Sequence, residues 1–372
     1  MNKEIILTSP VIKDDYTAIV ERMFDVPVSN KSTVVIKNNI QLPEKWNIGL
    51  LYGGSGSGKS TLLKEFGKIK QHKWNNNIPM ISNFTECTPQ EASEVLCSVG
   101  FGTIPAWLRP YSALSNGEQF RADLAKSLIG NDKIILIDEF TSVVDRNVAK
   151  SACNSVQKYI RKHNKKIVLA SCHSDIIEWL NPDWSYNPIE GETQYITERS
   201  LRRPPIELEI FRCKYEAWDL FKHHHYLSAG LNKSAKCYLA TWGGVPVAFS
   251  AILSFPHPVV KGGWRESRTV VLPDYQGLGI GVKLSDYMAS IVTANVNKDG
   301  IKNRFFSKTA HPAMIAYRLK NNHMWKQTTH SRKARNDHPS MNSRGWLVSE
   351  RMCYAFEYIG PKASIKIAKL FN

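Results

Sequence analysis

The sequence predicts an α/β protein in two domains, on three observations. Apolar, β-branched runs at 46–52 (WNIGLLY), 133–138 (KIILID) and 166–171 (KIVLAS) alternate with segments of helical periodicity, such as 118–130 with Phe120, Leu124 and Leu128 on one face. That alternation builds a parallel sheet with covered faces. The pattern breaks between 188 and 210, where PIEGE (188–192) and RRPP (202–205) are linker-like. A chain of 372 residues also suits two domains better than one. The expected division is 1–200 and 201–372, both α/β.

Beyond the linker the spacing predicts a helix-like stretch at 215–227 and strands near 235–253 and 264–272. A glycine-rich turn and an amphipathic helix follow at 282–294. Hydrophobic residues make up 42% of the chain, enough for each half to build a core. The seven cysteines are scattered with no C-x-x-C pair, which argues against a disulfide framework or a structural zinc site and for a reducing cytoplasm. No apolar run approaches ~18 residues, so no membrane span is expected. The first residues, MNKEIILTSPVIKDDY, lack the apolar stretch of a secretion signal. The formal charge is +16, which attracts polyanions; nucleic acid is the leading candidate, with plain solubility charge as the alternative.

GGSGSGKS, 53–60, lies directly behind a predicted strand. Its glycines Gly53, Gly56 and Gly58 let backbone N–H groups curl around a phosphate. Lys59 can reach the β- and γ-phosphates, and the Ser60 hydroxyl, beside Thr61, can ligate Mg²⁺. A glycine-rich loop alone can be a mere turn; the full pattern after a strand is specific. IILIDEF, 134–140, ends an apolar strand in Asp138, placed for Mg²⁺, and Glu139, placed to polarise an attacking water. Surface acids at a strand end are the plainer reading. LSNGEQ, 114–119, carries Ser115, Gly117 and Glu118 at a helix start, which is at once a Ser-x-x-Glu capping box and an anion site.

These motifs, in this order, resemble those of ABC ATPases. LSNGEQ is similar to the family's LSGGQ signature, and EFTSVVD (139–145) to its EPTSALD, with Phe140 in place of proline and two valines in place of Ala-Leu. The resemblance implies that Asp145 sits in the loop that communicates across a dimer and that His173, in SCHSD (171–175), is the γ-phosphate switch histidine. A lone histidine is otherwise more often structural. Gln90 is the candidate Mg²⁺-contacting glutamine, or a surface residue of a helix start, and Tyr16 and Phe24 are candidates for stacking on adenine. With one complete motif set, the resemblance implies ATP and Mg²⁺ held in a homodimeric ATP sandwich, acting as a switch rather than a membrane pump.

RESRTVVLPDYQGLGIG, 265–281, places Gln276, Gly277, Gly279 and Gly281 in a Q-x-x-G-x-G pattern between a β-branched strand and a helix. Successive free N–H groups there can cradle a pyrophosphate. A dinucleotide fingerprint fits the spacing worse. The segment resembles the acetyl-CoA-binding motif of the GNAT acyltransferases. That resemblance implies acetyl-CoA or another acyl-CoA as donor and an oxyanion held by N–H groups near Val270 and Val271. It also makes Tyr317, in 304–326, the candidate for protonating the leaving thiolate, unless it is only a packed aromatic. His311 precedes Pro312 at a strand-to-helix turn, where it can touch substrate or cap. HHHYL, 223–227, offers His223, His225 or Tyr226 to a metal or substrate, or is partly exposed surface; at most two adjacent residues can serve one site. HYLS with the glycine motif resembles the phage Mom-type proteins that modify adenine in DNA.

Between Arg318 and Arg344 lie seven Lys/Arg and one acid, Asp337, with Trp325 and Trp346 at the flanks. Cations with aromatics suit phosphate contact and base stacking, or form a solvated basic face. The expectation is an ABC-type P-loop ATPase domain followed by a GNAT-like mixed α/β domain, coupling ATP hydrolysis to acyl transfer onto DNA or RNA. The alternatives are an SMC-like nucleic-acid switch without transferase activity, and a protein or small-molecule acetyltransferase, toxins included.

Overall fold

The computed structural model describes residues 4–24, 29–130, 132–195, 206–225, 230–329 and 353–371. The chain divides into two compact units: Met1–Gln71, Asn131–Val144 and Val156–Arg202 in one, His72–Gly130, Asp145–Ser155 and Arg203–Asn372 in the other.

The first unit begins with an antiparallel hairpin, β1 (Glu4–Pro10) and β2 (Lys31–Lys37), which the sequence pattern did not announce because most of its side chains are exposed. Its main sheet has five strands: β3 (Ile48–Tyr52), β4 (Ile135–Ile137), β5 (Ile167–Ser171), β6 (Trp184–Asn187) and β7 (Glu192–Tyr195), in the order β4-β5-β3-β6-β7. Pairing is parallel except for β7. Every residue of β3 and β5 is buried, which is why both read as unbroken apolar runs and not as alternation. Leu51, Leu62, Leu63, Val168 and Trp184 form the core, and each large side chain so buried contributes roughly 1.5–3 kcal/mol. Phe66 stacks on Trp184 and Trp46 meets it edge-on. Asp183 ties β3 to the rest: it accepts from the backbone of Asn47 and Ile48 and pairs with Arg161 at 3.0 Å. Burial pushes its carboxyl up, but those donors outweigh it and hold the group below the usual carboxylate range.

The second unit contains β8 (Glu209–Cys213), β9 (Lys236–Trp242), β10 (Val245–Ser254), β11 (Gly263–Val271), β12 (Arg304–Thr309), β13 (Trp325–Gln327) and β14 (Tyr354–Tyr358), ordered β13-β14-β12-β11-β10-β9-β8. All neighbours are antiparallel but β11 and β12, whose parallel ladder covers only Gly263–Arg265 and Arg304–Phe306. Leu284, Met288 and Val292 of the helix Ile280–Ala294 share one core with Val247, Phe305 and Trp325. A second core gathers Trp218, Phe221, Phe249 and Val270. Two 3₁₀ turns, Tyr215–Leu220 and Lys222–His224, stand where the sequence suggested one helix. The 3₁₀ winding puts residues three apart over each other, and Trp218 and Phe221 thereby both reach Phe249. The helix Pro89–Ser98 of this unit packs on both Asn116–Ile129 and Pro312–Lys320. Among the described residues no helix is long and apolar enough to cross a membrane.

Candidate functional site

In the first unit, the carboxyl ends of β3, β4 and β5 meet around a cavity of about 520 Å³, the position at which open parallel sheets bind ligands. Its lining includes Gly56, Gly58, Lys59, Ser60, Thr61, Asp138 and Glu139. The loop after β3 enters the helix Lys59–Lys64 through Gly58 at φ +92. A side chain at Gly58 would be strained there, and its Cβ would meet Ile36 at 2.7 Å. The Lys59 ammonium donates to the carbonyls of Gly53 at 2.8 Å and Gly54 at 2.7 Å, so the cation is held over the loop. Glu139 sits at φ +49 and Thr141 at φ +69, a left-handed turn around the fully buried Phe140 that sets the acid pair at the strand end. A hydroxyl, Ser60, and a carboxylate, Asp138, lining one cavity suit Mg²⁺, a hard cation that takes its remaining oxygens from phosphates and water.

Leu7, Val34 and Ile36 of the hairpin also line this cavity, a contribution no local motif signalled. Cys172 lines it, whereas His173 does not; its backbone N–H donates to Ser171 Oγ. Tyr16 and Phe24 are exposed on the helix Asp15–Phe24 and do not line it either.

The other positions singled out in the sequence, Gln90, Ser115, Gly117, Glu118 and Asp145, lie in the second unit. Ser115 caps the helix Asn116–Ile129 in a complete capping box with Glu118. Asp145 accepts from the N–H groups of Asn147 and Val148 and so starts the helix Arg146–Lys162. Gln90 is exposed and donates to Glu94. Between these elements Arg121 is 1% exposed, facing Asp274, Asp145 and Glu118. Burial pushes the Asp274 carboxyl up, against the pull of Arg121.

A second cavity, of about 290 Å³, opens where β11 and β12 part. Glu266–Val271 on one side and Lys308, Thr309 and His311 on the other line it in place of a ladder, with Gly277, Gly279 and Gly281 at its end. Gly279, at φ +83, leads the 15-residue helix Ile280–Ala294 with no side-chain cap, so its first-turn N–H groups can serve an anion. A glycine cradle at a long helix start, next to a cleft between strands, fits a diphosphate carrying a slender acyl arm. Glu266 is buried against Arg318 at 2.8 Å and accepts from Ser307 and Thr269. Burial raises its carboxyl, but Arg318 and the hydroxyls outweigh this and hold it below the usual range. Gln276 uses its amide within the protein, donating to Val271 O at 3.0 Å and accepting from Gly102 N–H at 2.7 Å.

Tyr317 does not line this cavity; its hydroxyl donates to Asp286 and its ring packs beside the core. His224 and His225 do line it, His223 is exposed, and no group of three His, Cys, Asp or Glu able to hold a metal occurs among the described residues. Tyr226 and the basic stretch from His330 to Trp346 lie outside the described residues.

Comparison with known proteins agrees with this division of chemistry. The Rad17 P-loop domain matches residues 30–187 and the acetyltransferase (GNAT) family matches 175–319. The lipoprotein-releasing system ATP-binding protein LolD of Ehrlichia ruminantium is 27% identical over 195 residues, covering 40% of this chain and 84% of that protein. Its counterpart in Rickettsia prowazekii is 36% identical over 156 residues, covering 41% and 66%. The phosphonates import ATP-binding protein PhnC of Hydrogenovibrio crunogenus is 26% identical over 146 residues, 39% of this chain; the chain spans about half of that relative's length, 53%. A solved dimeric bacterial ABC transporter cassette is 17% identical, covering 46% of this chain and 93% of its own, with a TM-score of 0.37. The chain is an ABC-type ATPase domain followed by a GNAT domain.

Proposed function

We propose that this protein is an acyl-CoA-dependent transferase acting on nucleic acid, with an ATP-hydrolysing homodimer as its clamp. The observation that carries the reading is the pair of glycine cradles, one backed by Lys59, Asp138 and Glu139, the other set in a cleft between parting strands. In the first, the N–H groups of 53–58 and the Lys59 ammonium bind phosphates, Ser60 and Asp138 hold Mg²⁺, and Glu139 orients water. His173 senses the γ-phosphate, and Ser115, Gly117 and Asp145 of one subunit engage the nucleotide of its partner. Magnesium ATP supplies the cleavable phosphoanhydride.

In the second cradle the N–H groups of 277–281 bind the donor's diphosphate, while those near Val270 and Val271 polarise the acyl carbonyl. Acyl-CoA supplies an activated thioester: an acceptor amine forms a C–N bond, the C–S bond breaks, and the amine proton passes to the leaving sulfur. The formal charge of +16 supports a polyanionic acceptor. Nucleoside mass spectrometry on nucleic acid from cells expressing the wild type and Lys59→Ala tests this. A new acylated nucleoside in the wild type, reduced in the variant, is expected; an unmodified pool in the wild type removes the nucleic-acid reading. A modification equal in both removes the ATP clamp from the transfer.

A further inference from the structure

The second cavity is not enclosed by residues after 203 alone. Cys97, in the last turn of the helix Pro89–Ser98, and Gly100 and Gly102, just after it, form part of its wall. This turn is fastened to the glycine cradle through the side-chain amide of Gln276, and the helix Arg146–Lys162 holds the same residue's backbone. Gly102 N–H donates to the Gln276 side-chain carbonyl at 2.7 Å, and the same amide donates to Thr103 Oγ1 at 3.0 Å. The Ser151 hydroxyl donates to the Gln276 backbone carbonyl. Gly100 and Gly277 stand back to back in left-handed conformation, at φ +82 and +84. A Cβ on Gly277 would lie 2.8 Å from the hydroxyls of Ser151 and Ser155, and one on Gly100 would lie 2.9 Å from the Gln276 carbonyl oxygen. Glycine at 277 is therefore demanded by packing as well as by phosphate approach. Cys97 adds no nucleophile to the wall, since burial pushes its thiol up to about 12.

We infer that residues 97–103, which belong to the helical part of the ATPase half, are a donor-binding element of the transferase. The turn holds Gln276 at the head of the glycine cradle: Gly100 packs against the Gln276 carbonyl, and Gly102, lacking a side chain between Gln276 and the cavity-lining His311, leaves room for the donor. The inference rests on the acyl-CoA reading of that cavity. A Cβ at Gly102 would lie 3.2 Å from Gln276 Oε1 and 3.3 Å from His311 Nε2, so a branched side chain there displaces the amide or fills the cleft.

The test uses the full chain and acetyl-CoA as probe. Calorimetric titration of Gly102→Val is expected to show binding at least tenfold weaker than wild type, with ATP hydrolysis retained as evidence of folding. Hydrogen exchange on the wild type, which needs no variant to fold, is expected to show acetyl-CoA protecting amides 100–103 together with 277–281. Protection confined to 277–281, or a folded Gly102→Val that binds within twofold of wild type, overturns the inference. A wild type that neither binds acetyl-CoA nor gains protection at 277–281 defeats the acyl-CoA reading itself.

Discussion

Two glycine loops lead into helices in this chain, one in each unit, and their likeness stops at the backbone. GGSGSGKS enters its helix through Gly58 at φ +92, and QGLGIG enters through Gly279 at φ +83; neither cap residue supplies a side-chain bond. Both therefore offer first-turn N–H groups to an anion. The first loop adds a cation, Lys59, over its own carbonyls, with Asp138 and Glu139 lining the same cavity. The second adds a neutral amide, Gln276, committed to Gly102, Thr103 and Val271, and its nearby acid, Glu266, is already neutralised by Arg318. A glycine loop binds a phosphate; the side chains beside it decide whether a phosphate bond is cleaved or the group is only held.

That contrast can be broken at either loop. The largest effect is expected from Lys59→Ala, which removes the cation that meets developing phosphate charge and lowers ATP hydrolysis at least about a hundredfold. Calorimetry should find its acetyl-CoA affinity within twofold of wild type; a loss there would mean that the two loops are not independent anion sites. Gly279→Asp puts a negative, strained side chain at the second cap and should weaken acetyl-CoA binding by about tenfold or more, while steady-state ATPase rates stay near wild type. Ser115→Ala removes the acceptor of a capping box and should cost about 1 kcal/mol by urea denaturation, with a fall in ATP turnover beyond what that stability loss explains.

The smallest effect is a pH dependence. Burial lowers the His311 pKa from 6.5, and burial likewise lowers that of His224, which faces Glu118, His223, Arg109 and Asp274. The unfolded chain then takes up protons first as the pH falls below 6.5, so stability drops toward acid until the folded groups titrate. Urea midpoints at about pH 7.5 and 5.5 should differ less in His311→Gln than in wild type; equal differences would show that His311 is not the buried imidazole responsible.

The first loop was legible as a pattern because it is contiguous: eight residues carry its glycines, the ammonium and the hydroxyl. The Ser115–Glu118 box was legible for the same reason, since a cap is a four-residue device. Gln276 shows where such reading ends. Its position in the motif is local, but the direction of its amide depends on Gly102 and Thr103, which the motif does not contain. Tyr317 is similar: the helix was legible, while its hydroxyl turns to Asp286 because Asp286, on the neighbouring helix, lies within reach. The stretch 215–227 carried helical spacing, yet burial of Trp218 and Phe221 against Phe249 favoured tighter 3₁₀ winding.

Consecutive residues were enough to place the two glycine loops ahead of helices and to name Lys59, Asp138 and Glu139, which line one cavity, because short-range geometry is written locally. Only the tertiary structure decided that β11 and β12 part after Arg265 and Phe306 to make a cleft, and that 72–130 and 145–155 pack with 203–372 in one unit. Those outcomes depend on surfaces far apart in the chain, such as Gly100 against Gly277 and Ser151 against Gln276, whose fit is a property of the folded shape and of no single segment.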